Sequence, residues 1–181
     1  FRSQKRKIIE TNLKTGSLRS QQPDEIRELS HELLPPSFQE FGFSKALDKL
    51  TDSISISGGL KIYKQWEGFE EHILQNDQKL TISRIVQEQL QNILKHAEAN
   101  VVIKSLSIAN THKNVQLLVR DDGKGFKMSE NSEGVGLRNI KVRAELYQAT
   151  VNIESSPGNG CELKVLFPLN GCRQNDDPGF K

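Results

Sequence analysis

Asp121-Asp122-Gly123-Lys124-Gly125-Phe126 ends an apolar strand, stands 29 residues after Asn92 and precedes Gly134-Val135-Gly136-Leu137. Upstream of it, Val115, Leu117 and Val119 alternate with Gln116, Leu118 and Arg120, so period-2 geometry carries Asp121 to the face of the first three. That face is expected to be the covered one. A buried acid needs a partner, and an adenine amino group offers two N–H donors. Glycines at 123 and 125 let the backbone approach a base closely. Taken singly, an Asp-x-Gly-x-Gly string also reads as an ordinary loop turn.

The segment upstream favours the nucleotide reading. Over residues 77–97, Ile82, Ile85, Val86, Leu90, Ile93 and Ala97 recur with a helical period. Glu88, Asn92 and Lys95 share a second stripe at i, i+4 and i+7, with His96 on its edge. A carboxylate, an amide oxygen and an ammonium on one stripe suit a magnesium triphosphate: Asn92 offers oxygen to a hard cation and Lys95 neutralises phosphate. The alternative is a solvated helix face.

Val86-Gln87-Glu88-Gln89-Leu90-Gln91-Asn92-Ile93-Leu94-Lys95-His96-Ala97 resembles the N box of sensor histidine kinases in the GHKL (Bergerat-fold) ATPase superfamily. The Asp-x-Gly-x-Gly and Gly-x-Gly-Leu boxes follow in the family's order, as do Ser156-Pro157-Gly158-Asn159-Gly160 and a strand closing at Phe167-Pro168-Leu169. The chain is most similar to the nitrate-sensor-like and degradation-sensor-like subfamily, through its Gln-Glu-x-x-x-Asn-x-x-x-Lys-His form and the segments at 27–35 and 42–47. The resemblance covers residues 24–169.

Composition is compatible with this. A chain of 181 residues holds one full domain and an extension. A formal net charge of +2 argues for neither a nucleic-acid nor a membrane-surface binder. No apolar run approaches a membrane span and no signal-peptide pattern is present, so a soluble, cytoplasmic polypeptide is expected, or the cytoplasmic part of a membrane-bound sensor. Cys161 and Cys172 lack metal-ligand spacing and read as reduced thiols.

Turn and breaker signals divide the chain into a helical extension (1–22), connector helices (23–57), a catalytic domain (58–169) and a tail (170–181). Pro35-Pro36 is expected to stop a helix over 24–34, and Ser44 to cap a helix carrying Ala46, Leu47, Leu50 and Ile54, ended by Gly58-Gly59. Strands are expected over 60–66, 101–108, 115–121, 151–154 and 161–167, with a helix over 137–147. The fold is therefore read as α/β, a two-layer sandwich with helices on one face of a mixed sheet and an N-terminal helical extension.

The resemblance implies a two-component kinase that moves a phosphoryl group from ATP, with magnesium, to histidine and thence to a response regulator, as a homodimer in the full-length protein. It places Asp121, Gly123, Gly125 and Phe126 around adenine, and Gly134, Val135, Gly136 and Leu137 beside the phosphates at a helix N-terminus, behind a short lid over 127–133. Lys95 and His96 fall within the ATP site, and Asn92 is the magnesium ligand. Glu88 is the candidate catalytic residue, orienting the attacking group or holding magnesium through water; a structural part is the alternative.

The chain departs from the family pattern twice. Cys161 stands where the family has a pocket-lining Thr, and a thiol hydrogen-bonds weakly. No phosphoacceptor box is evident: the 60 residues between His31 and Asn92 hold a proline break, two helices and a strand, and no hairpin stem fits. His31 is thus read as structural, and the acceptor is expected on a hairpin elsewhere in the protein or on a partner. A nucleotide-sensing module without transfer activity, and another GHKL ATPase, are the alternatives; the short lid and the chain's end soon after Gly136 weigh against a gyrase-like enzyme.

Overall fold

The computed structural model describes residues 35–109, 114–127 and 134–169. Expectations for the first 34 residues, His31 included, for most of the lid and for the tail lie outside the described residues.

Pro36–Phe41 forms α1 and Phe43–Gly58 forms α2; β1 (Lys61–Glu67) follows, then a 3-10 turn at Glu71–Ile73. Asn76–Asn92 is α3, continued by a π-helical turn over Ile93–Ala97. Next come β2 (Val101–Ala109), β3 (Asn114–Asp121), α4 (Val135–Glu145), β4 (Thr150–Ser155) and β5 (Cys161–Pro168). The sheet order is β1-β2-β3-β5-β4. β1 and β2 pair in parallel and the other neighbours antiparallel. Only the parallel pair needs a long crossover, and α3 is that crossover. The expected α/β sandwich is borne out.

Period-2 alternation builds the sheet side of the core. Val115, Leu117 and Val119 of β3 face Leu163, Val165 and Phe167 of β5 across the ladder, all fully buried. Ile82, Ile85, Val86 and Leu90 bring the apolar stripe of α3 onto them, and at ~25 cal/mol per Å² this burial is the main favourable term holding the layers together. On β2 the inward alternation runs Val102, Lys104, Leu106, which puts an ammonium in the core. Lys104 is fully buried; its Nζ lies 3.0 Å from Asp48 Oδ1 on α2 and 4.2 Å from the centre of the Trp66 ring. Burial lowers its pKa, opposed by the hydrogen bond and charge of Asp48.

Pro36 opens α1, since a proline at the first helical position loses no needed donor, while the helix over 24–34 that Pro35-Pro36 is expected to stop lies outside the described residues. Two local expectations are corrected. Ser44 does not cap α2: Gly42 is the boundary residue and Ser44 lies in the first turn. There the free backbone N–H groups of Phe43 and Ser44 donate to the Glu71 carboxylate at 3.0 and 2.8 Å, so a distant acid serves as the cap. Finally, the regular period expected over 77–97 stops at Asn92, where the π turn begins.

Candidate functional site

α3, its π turn, the inward ends of β3 and β5 and the first turn of α4 enclose a cavity of about 710 Å³. Glu88, Asn92, Lys95, His96, Asp121, Gly125, Phe126, Gly134, Val135, Gly136, Leu137 and Cys161 all line it. Gly123 does not. Its amide donates to Asp121 Oδ1 at 3.0 Å while its Cα face abuts the Ala97 carbonyl, so it backs the carboxylate instead of facing the cavity.

Asp121 ends β3 on the buried face, 3% exposed. Oδ2 has no hydrogen-bond partner among the described residues. Burial raises the pKa of this acid, against the lowering effect of backbone hydrogen bonds from Gly123 and Cys161. Its neighbour Asp122 has the opposite environment: exposed, it accepts from the amides of Val101 and Asn100 at 2.9 and 2.8 Å, which lower its pKa. One acid of the pair ties the loop to β2; the other keeps one oxygen without a partner among the described residues.

Cys161 is directly opposite Asp121 in the β3–β5 ladder and is buried. Burial first, then the Asp121 charge, pushes its thiol up to about 11, so it is protonated at neutral pH and inert as a nucleophile.

At the other end of the cavity the start of α4 rests on α3. A Cβ on Gly136 would come within 2.5 Å of Asn92 Oδ1 and 2.8 Å of Glu88 Oε1, so no larger residue fits there without displacing both. The Asn92 amide nitrogen is buried and has no hydrogen-bond partner among the described residues. Neighbours in an α-helix are 100° apart, yet within the π turn both Lys95 and His96 border the cavity. π turns recur at functional sites.

Sequence reasoning missed Gln89 and Lys124, which also line the cavity. Gln89 stands three residues before Asn92 on one helix, a spacing that identifies it as a neighbour. Lys124 follows Gly123 in the quoted stretch, and its Nζ pairs with Glu98 at 2.6 Å.

A two-layer sandwich with a cavity between helices and sheet, a buried acid at one end whose Oδ2 has no partner among the described residues and a helix N-terminus at the other, fits a nucleotide-binding class of domain. Residues 77–171 match the family described as histidine kinase-, DNA gyrase B-, and HSP90-like ATPase, and the chain belongs to that family. The oxygen sensor histidine kinase NreB of Staphylococcus carnosus is 29% identical over 171 residues, 93% of this chain. The chain spans about half of that relative, 48%. Among solved structures, the histidine kinase domain of the Erythrobacter litoralis EL346 blue-light activated kinase superposes with a TM-score of 0.59 at 21% identity, covering 70% of this chain and 61% of that one. Full-length ShkA in complex with AMPPNP gives 0.57 at 19%, covering 70% and 29%. These structures share the fold. Among the described residues, no helix is long and apolar enough to cross a membrane.

Proposed function

We propose that this chain is the ATP-binding catalytic region of a bacterial two-component sensor histidine kinase, moving the γ-phosphoryl group of ATP to a histidine for relay to a response regulator. The observation that carries the proposal is the set of buried polar atoms without a partner among the described residues, Asp121 Oδ2, Gln89 Oε1 and Asn92 Nδ2, on residues that line one cavity of a chain in this ATPase family. An unmet buried acceptor costs about 1–3 kcal/mol, and an adenine amino group meets it. NreB supports the kinase reading and the AMPPNP complex of ShkA the nucleotide.

The base is proposed to lie against Asp121, flanked by Gly125, Phe126 and Cys161, with the phosphates toward Lys95, His96 and the free N–H groups of the first turn of α4, from Gly134 to Leu137. Magnesium, when bound, neutralises phosphate charge. Among the described residues no group of three or more His, Cys, Asp and Glu could hold a metal, so Asn92, through its amide oxygen, is proposed as the protein ligand, with phosphate oxygens and water completing the shell. Glu88, one helical turn before Asn92, is proposed to orient the attacking imidazole; the chain's remaining work is positioning and charge neutralisation. The accepting histidine is proposed to lie on a hairpin of the same protein or a partner, in a cytoplasmic homodimer.

The test combines calorimetry with transfer of labelled phosphate. Magnesium ATP is expected to bind the chain, and Asn92→Ala to lose the magnesium-dependent part of the affinity. Label is expected on an added histidine hairpin from the full-length parent, in acid-labile form. Binding without transfer to that hairpin would point to a nucleotide-sensing module. Equal affinity of Asn92→Ala and parent in magnesium would remove Asn92 as the ligand.

A further inference from the structure

Gln89 projects from α3 into the inner end of the cavity and is 2% exposed. A carboxamide carries two donor and two acceptor sites. At Gln89 the observed contact is weak, Nε2 donating to Cys161 Sγ at 3.9 Å, while Oε1 is buried with no partner among the described residues. Leucine or methionine would fill this volume without that cost. Cys161 is itself the ladder partner of Asp121, so Gln89, Cys161 and Asp121 form a contiguous wall. The neutral thiol takes the NH₂ end of the amide and leaves its oxygen free. Two orphaned acceptors, Asp121 Oδ2 and Gln89 Oε1, therefore stand on one side of one cavity.

We infer that Gln89 is a second base-reading residue, its Oε1 accepting a hydrogen bond from the exocyclic amine of the bound purine alongside Asp121. The inference rests on the ATP-site reading above and extends it to base specificity. A 6-amino group presents two N–H donors, one for each acceptor. A 6-oxo group would set an oxygen against two oxygens, and a 6-H purine would leave both unpaired, so the paired acceptors select 6-aminopurines more strongly than one acid alone.

The experiment compares magnesium complexes of ATP and purine riboside triphosphate, which lacks the amine, by competition binding to the parent, Gln89→Met and Asp121→Asn. Methionine keeps the volume and removes both amide atoms. The parent should prefer ATP, and Gln89→Met should cut that preference about tenfold, the effect of one hydrogen bond, with affinity for the amine-free analogue within about twofold of the parent's. A merely structural Gln89 would shift both nucleotides together. An unchanged preference in Gln89→Met, with preference lost in Asp121→Asn, overturns the inference and leaves the ATP site standing; failure of magnesium ATP to bind the parent overturns both. Should Gln89→Met not fold, N6-methyl-ATP on the unmodified chain decides the matter. With one N–H left it should bind about tenfold more weakly than ATP, and binding as tight as ATP shows that one acceptor suffices.

Discussion

Replacing Asp121 by asparagine should strengthen the empty domain and ruin its nucleotide binding. The acid is 3% exposed; Oδ1 accepts from the Gly123 amide at 3.0 Å and Oδ2 has no partner among the described residues. Asparagine keeps the first contact through its carbonyl oxygen and replaces a buried charge by a neutral NH₂. Removing one half-satisfied, desolvated charge is worth about 1 kcal/mol in the empty protein, or on the order of 4 °C in Tm for a domain of this size. The sign in pH follows from the raised pKa of the folded acid. Between the ordinary carboxyl value of 3.8 and that raised value the native state holds more protons than the unfolded one, so parent stability falls as pH rises through this window. The advantage of asparagine is full above it and vanishes below. With nucleotide the order reverses: the new NH₂ faces the adenine amine donor to donor, losing ~1.5–3 kcal/mol, or roughly 10- to 150-fold in Kd. Thermal melts of Asp121→Asn from pH 3.5 to 7.5, with and without magnesium ATP, read both effects. A variant that melts below the parent at pH 7 and still binds ATP within twofold would refute the reasoning.

Gly125→Ala should unfold the loop: φ is +60°, and a Cβ would sit 2.1 Å from the Ser156 carbonyl oxygen and 2.8 Å from that of Gly160, so a loss of ~3 kcal/mol is expected in urea titration and a change below 0.5 kcal/mol would count against it. Glu71→Ala should cost ~1–2 kcal/mol by leaving the first turn of α2 uncapped. Burial tends to raise the Glu71 pKa, but the hydrogen bonds from Ser44 and Phe43 outweigh it and hold it below 4.5. Its stabilisation is therefore present above pH 4.5 and lost as pH falls through the folded value, so Glu71→Gln and parent melts should converge in acid.

Strand periodicity sufficed to place Asp121 inside, because three apolar residues at alternate positions leave one orientation for the fourth. Helical spacing likewise gathered Glu88, Asn92 and Lys95, and the order of the boxes identified the family. What escaped depends on chain segments remote in sequence. Glu71 caps a helix that begins 28 residues earlier, so nothing near Ser44 reveals it. The charge of Lys104 argues against burial until Asp48, 56 residues away, is brought beside it. Gln89 falls inside the apolar stripe, four residues after Ile85 and three after Val86, where a polar residue carries no local signal, and its contact becomes visible only when Cys161 arrives from the far strand. The π turn was invisible because apolar residues at Ile93 and Ala97 satisfy an α-helical period equally well.

Among the described residues, β1 and β4 form the two margins of the sheet, and they guard themselves unequally. Of the seven residues of β1, Lys61, Lys64 and Glu67 are charged, and Lys64 is anchored to Asp52 at 2.7 Å. A foreign strand docking there would have to strip water from those charges, which blunts templated growth. β4, Thr-Val-Asn-Ile-Glu-Ser, carries a single charge at Glu154. Between the two described margins, β4 is therefore the less protected against pairing with a foreign strand, and a lysine on the solvent side of that strand, at Asn152, would give it the charge that β1 already has.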